Sequence, residues 1–209
     1  MRRPRIGRLV RVAPVLGVGL FFSLYTIAAL SYPGGSYRDP NAPGFSFFYN
    51  YWCDLLHTIA KNGAPNPGHR FGLAALLVIV PTLGAFWHVV ALHYESERRL
   101  VLATRSFGYA SALLTLVLVT PLHDRAVELG GGLGLVAFGA ALAGLKKAGH
   151  LRLALGGAAA VLLSLVCLFI WRTRVGIVLL APLQKVAFAA FLGWVVVASL
   201  SRFSRDENR

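Results

Sequence analysis

Four polar residues stand in a stretch otherwise rich in aromatics. Asn50, Asp54, His57 and Lys61 are separated by 4, 3 and 4 positions. At about 100° per residue, helical geometry gathers them within a strip of roughly 60°. An Asp and a His at i and i+3 are close enough to share a proton or a metal. Asp54 and His57 are therefore the candidate catalytic residues, as an acid–base pair. Asn50 and Lys61 flank them as candidate ligand contacts. Phe48, Tyr51, Trp52, Leu55, Leu56 and Ile59 would form the opposite face. The spacing predicts an amphipathic helix over 45–61, whose polar strip faces either water or a cavity between membrane spans.

Other chemistry-bearing residues stand where apolar ones are expected. His123, Asp124 and Arg125 follow Pro121, and Glu128 comes one turn later. His123 and Asp124 are further candidate ligand contacts, or members of a short solvated loop. With Asp54, His57 and His69 they could supply imidazoles and carboxylates of the kind that bind zinc. No compact motif such as H-E-x-x-H is present, so metal content stays open. Lys185 lies inside an apolar run, beside Gln184 and after Pro182. An intramembrane charge should face the bundle interior with a partner. Asp54, Asp124 and Glu128 are the expected partners, and Lys185 would hold either an ion pair or an anionic ligand. His88 and His93 at the end of another run read as surface contacts. A haem would need a further histidine at matching depth, and His150 is the one option. The sequence thus assigns no cofactor.

These residues need elements to position them. The chain has 209 residues, of which 56% are hydrophobic and 14% charged. Soluble domains carry roughly 25% charged residues, and one core of this size cannot hide so much apolar surface. An ordinary soluble domain and a disordered chain are both excluded. Six runs approach the roughly 20 residues that a bilayer requires: 12–30, 71–92, 100–121, 129–145, 153–171 and 175–200. The fold class is therefore all-α, a single membrane domain with six transmembrane helices. The first run reads as a retained span rather than a signal peptide, being longer than the usual apolar core of one.

The net charge of +13 suggests nucleic acid less than orientation, because the basic residues sit in short clusters between apolar runs. With both termini in the cytoplasm, fourteen Lys and Arg lie inside and six outside. This predicts a multi-pass protein of the cell membrane with residues 31–70 outside. Trp52 and Trp171 would sit at headgroup level, and Trp87 and Trp194 between helices. The glycines at 130, 131, 132, 134, 139 and 144 read as sites of close helix packing. Cys53 and Cys167 would pair only if both lay near the outer face.

The outer segment carries Tyr32-Pro33-Gly34-Gly35, Gly44-Phe45-Ser46-Phe47, Asn50-Tyr51-Trp52-Cys53-Asp54-Leu55, Asn62-Gly63 and Pro65-Asn66-Pro67. Together with Gln184-Lys185 and Trp194 in the last run, it resembles an uncharacterised prokaryotic family of six-span membrane proteins. That family is similar to the Frag/DRAM/Sfk group of eukaryotic membrane proteins. The resemblance implies six helices and an ordered outer segment. The eukaryotic group is associated with lipid remodelling, lipid distribution and autophagy regulation, which implies a lipid headgroup at the outer leaflet. This chain lacks the group's Ser-Asp-Thr-Gly tetrad, and Cys53-Asp54-Leu55 stands in its place. Three readings follow. The chain binds or modifies a lipid headgroup or small polar ligand; or it is a non-catalytic scaffold with a protein partner; or it is a small transporter working as a homo-oligomer. Membrane lipids are the expected partners in each.

Overall fold

The computed structural model describes residues 8–201. Six helices are long and apolar enough to cross a membrane, as expected for a multi-pass membrane protein. They are α1 (Arg8–Leu30), α2 (His69–Ala91), α3 (Arg98–Leu114), α4 (His123–Lys147), α5 (Leu151–Thr173) and α6 (Leu180–Leu200). Short 3-10 turns extend α2, α3 and α6, giving spans His69–Tyr94, Arg98–Val119 and Ile177–Leu200. Among the described residues the extended structure is limited to two isolated bridges, Gly34 to Pro43 and Ile59 to Pro65.

One boundary differs from the sequence expectation. The fourth helix starts at His123, six residues before Leu129. His123, Asp124 and Arg125 therefore form its first turn and are not a loop. The apolar run alone conceals this, because a polar first turn adds no hydropathy. Asp124 in that turn and Lys146 and Lys147 in the last turn complement the helix dipole. The helix then stops in a Schellman motif. Gly149, at φ +82°, donates to Lys146 O, and His150 donates to Leu145 O.

Contacts divide the chain into two compact units. The first holds described residues 8–19, 79–158 and 192–201. Its core is aromatic. Phe86, Trp87, Tyr94 and Trp194 are buried there, as are Ala137, Ala141 and Leu192. Phe138 stands edge-on to Trp87 and stacks on Trp194 at 5.1 Å. Trp194 also donates its Nε1–H to Leu153 O at 2.9 Å, so its one polar atom is satisfied at depth. Trp87 and Trp194 thus pack between helices, as the sequence predicts. Glycines admit these rings. A Cβ on Gly144 would fall 2.5 Å from the Tyr94 ring, and one on Gly157 2.8 Å from Trp194. Gly131, Gly132 and Gly139 have nothing within 4 Å, so only part of the glycine run serves packing.

The second unit holds residues 20–78 and 159–191. It contains the long first connection, whose fold departs most from expectation. The predicted helix over 45–61 does not form. The segment contains one five-residue 3-10 helix, Trp52–Leu56. The polar side chains are the cause, because they capture backbone groups that an α-helix would need. Asn50 Oδ1 accepts from Ser46 N–H, and Asp54 Oδ2 accepts from Tyr51 N–H.

Gly144→Val should clash with Tyr94 and cost about 1–3 kcal/mol, the usual range for an overpacked core. Gly139→Ala should be neutral or slightly stabilising. Thermal unfolding of the two variants in detergent separates them; equal midpoints would contradict the packing described.

Candidate functional site

The first connection is ordered around two asparagines. Asn50 is fully buried and uses its whole amide. Its Oδ1 accepts from Ser46 N–H at 2.8 Å, while Nδ2 donates to Gly35 O at 2.9 Å and to Asp54 Oδ2 at 3.1 Å. Asn66 does the same for the second half. Its Nδ2 donates to His57 O at 2.9 Å and its Oδ1 accepts from Gly68 N–H at 3.0 Å. His69 Nδ1 then donates to Leu56 O at 2.7 Å. Glycine is required at Gly35, where φ is +81° and a Cβ would strike the backbone of Lys61 and Asn62. At Gly72 a Cβ would lie 2.6 Å from Leu55 O.

Asp54 is 2% exposed and takes three contacts. Besides Asn50 and Tyr51 N–H at 2.9 Å, Lys61 Nζ lies 3.5 Å from Oδ1. Asn50, Asp54 and Lys61 are therefore together, although not as one helical strip. Asn50 and Asp54 point inward, whereas Lys61 returns to Asp54 from a later turn. His57 is exposed and belongs to the cleft wall described below.

Lys185 is 3% exposed. Its ammonium donates to Asn50 O at 2.5 Å and to Ala181 O at 3.0 Å, with the rings of Phe45 and Phe47 5.5 and 5.1 Å away. The expected carboxylate partner is thus replaced by main-chain carbonyls. Asp54 still acts on Lys185 through space. Gln184 Oε1 accepts from Trp52 N–H at 3.4 Å. Two adjacent side chains of α6 therefore hold the backbone at 50 and 52. The Trp52 ring packs against Tyr25 at 4.6 Å, Phe188 at 5.8 Å and Phe21 at 6.0 Å.

Beside this polar knot opens a cleft of about 280 Å³, lined by Tyr32, Asp54, His57, Thr58, Ile59 and Lys61. Tyr32 Oη accepts from Lys61 N–H at 2.9 Å. Burial raises the Tyr32 phenol above its ordinary pKa, so it is protonated at neutral pH. Cys53 adjoins the knot. Burial, then the Asp54 charge, pushes its thiol up to about 11. Cys53 and Cys167 are both free.

His123 and Asp124 belong to the first unit. His123 Nδ1 bonds to Leu118 O at 2.8 Å, closing the turn before α4. Among the described residues no three His, Cys, Asp or Glu side chains gather as a metal site. His93, in the first unit, bonds to Ala198 O at 3.1 Å and meets the His150 ring edge-on at 4.9 Å.

Tyr32, Gln184 and Asn66 were missed by sequence reasoning. Gln184 was legible as a second polar group beside Lys185. Asn66 in Pro-Asn-Pro-Gly reads as turn chemistry, and nothing local shows that its amide reaches back nine residues. Comparison with protein-family models, curated proteins and solved structures finds no match.

Two outcomes check this geometry. Lys185→Met leaves the Asn50 carbonyl buried without a donor, which costs on the order of 2–3 kcal/mol. Limited proteolysis should then cut faster within 31–68; unchanged cleavage would remove the anchoring role. Below about pH 11 Cys53 is held as the unreactive thiol. Maleimide labelling at pH 7.5 should be slow and should quicken as pH rises, whereas an exposed thiol would label fast at once.

Proposed function

We propose that the protein lies in the cell membrane with both termini cytoplasmic and the 31–68 connection outside. There its cleft binds an anionic group, a lipid headgroup or a small polar oxyanion. The carrying observation is an exposed ammonium at the cleft. Lys61 lies 3.5 Å from Asp54 on the cleft wall, and its side chain stays 43% exposed at the mouth, where it can also meet a bound anion. His57, Thr58 and the Tyr32 hydroxyl add donors along the same wall. Such a set suits a phosphate or carboxylate.

In this reading Asp54 orients and does not catalyse. Its oxygens are taken by Asn50, Tyr51 N–H and Lys61, which leaves it poorly placed to accept a substrate proton. The same satisfaction favours a second reading, in which the knot is purely structural and the protein is a scaffold. The orientation rests on the excess of Lys and Arg on the side of the termini. The similarity of the six-span family it resembles to the Frag/DRAM/Sfk group supports a lipid over a free anion.

Binding of glycerol phosphate to the detergent-purified protein, and retention of phosphatidylglycerol by it in native mass spectrometry, separate the two ligand sources. Lys61→Gln and His57→Gln should each weaken binding several-fold with unfolding temperature unchanged. Wild-type binding in both variants would favour the scaffold.

A further inference from the structure

The second unit has an exposed aromatic patch that the cleft does not use. Phe47, Phe48 and Tyr49 form a tight turn and are 49%, 61% and 39% exposed. The Phe47 and Phe48 rings stand edge to face at 5.4 Å. On an aqueous loop three consecutive exposed aromatics would be costly. At one side of the turn Arg38 Nη1 donates to Tyr49 Oη at 3.0 Å and lies 5.1 Å over its ring. The patch thus has an apolar tip and a cationic, hydroxylic rim.

Its depth can be read from the helices it touches. The last span begins at Ile177, and the Lys185 ammonium reaches back to Ala181 O, four residues in, or roughly 6 Å along the axis. The first span ends at Leu30, which puts Phe21 about 14 Å from that end. Phe47 packs over the Lys185 ammonium, and Trp52 packs against Phe21 and Phe188. Phe47, Asn50 and Trp52 therefore lie below the ends of these two helices, and Phe48 and Tyr49 follow directly on Phe47. Irregular backbone survives at that level only where every polar group has a protein partner.

The backbone beside the turn meets much of this demand, although Trp52 Nε1 is buried without a hydrogen-bond partner. Ser46 N–H reaches Asn50 Oδ1, Asn50 N–H reaches Ser46 O, and Tyr51 N–H reaches Asp54. Trp52 N–H reaches Gln184, and Asn50 O takes the Lys185 ammonium. Side chains of α6 do here what water does for a solvated loop.

We propose that the first connection is re-entrant and that its Phe47–Tyr49 turn is a membrane-inserted foot, with the phenyl rings among acyl chains and the Arg38–Tyr49 rim at the headgroup phosphates. Aromatic rings with one polar end favour that boundary, and a guanidinium there meets anionic lipid. The foot is independent of any ligand in the cleft.

The test uses the full chain in nanodiscs of phosphatidylcholine and phosphatidylglycerol, with Cys53→Ala and Cys167→Ala. A nitroxide is placed by Phe48→Cys, by Asn41→Cys on the same connection, or by Leu162→Cys on an exposed face of α5. Power saturation compares collision with oxygen, which enters lipid, and with a nickel chelate, which stays in water. The oxygen-to-nickel ratio at 48 should match that at 162 and exceed that at 41 several-fold. A ratio at 48 equal to that at 41 would place the turn in water and overturn the proposal. Shielding from both reagents would mean that protein covers the turn, and would overturn it equally.

Discussion

One ammonium on one backbone carbonyl governs the second unit. Lys185 reaches Asn50 O from within an otherwise apolar helix. A charge at that depth is tolerable only with good partners, and carbonyl dipoles, two aromatic faces and the field of Asp54 supply them. Because the partner is main chain, the contact fixes the path of the connection itself. Asn50 sits at the junction: its carbonyl takes Lys185 while its amide binds Gly35, Ser46 and Asp54. The Trp52 ring then fills the space among Phe21, Tyr25 and Phe188.

The first unit solves a different problem. Its spans associate without a strong hydrophobic force between them, so close packing has to do the work. Rings laid on glycine provide it: Tyr94 on Gly144, Trp87 on Gly108 and Trp194 on Gly157. The Tyr94 and Thr104 hydroxyls pair at 2.8 Å in this core, whereas Ser199 Oγ is buried without a hydrogen-bond partner. In the second unit, by contrast, carboxylate and ammonium groups border an open cleft.

Asn50, Asp54, His57, Lys61 and Lys185 were legible in the sequence as candidates, but their arrangement was not, and Tyr32, Gln184 and Asn66 were missed. Asn50, Asp54 and Lys61 do come together, and a helical repeat was the wrong reason for it. The periodicity at 45–61 was real as a pattern of residue types. It lost to side chains that bond their own backbone more favourably than a helix could. His57, at the end of the 3-10 turn, was carried to the exposed side by that change. Lys185 was legible as an anomaly because one charge in a long apolar run has no neutral explanation. Its partner was not, since a carbonyl looks the same at every position in a sequence.

Composition and run length alone determined six spans, because a bilayer sets both the length and the polarity of any helix that crosses it. They also determined that the long connection is punctuated by turns, since proline and glycine act locally. Only the tertiary structure decided where His123 and Asp124 go, whether Asp54 meets Lys61, and what Lys185 holds. Those outcomes depend on contacts between residues up to 135 positions apart. Such contacts follow from how helices and turns pack, and local spacing carries no record of them.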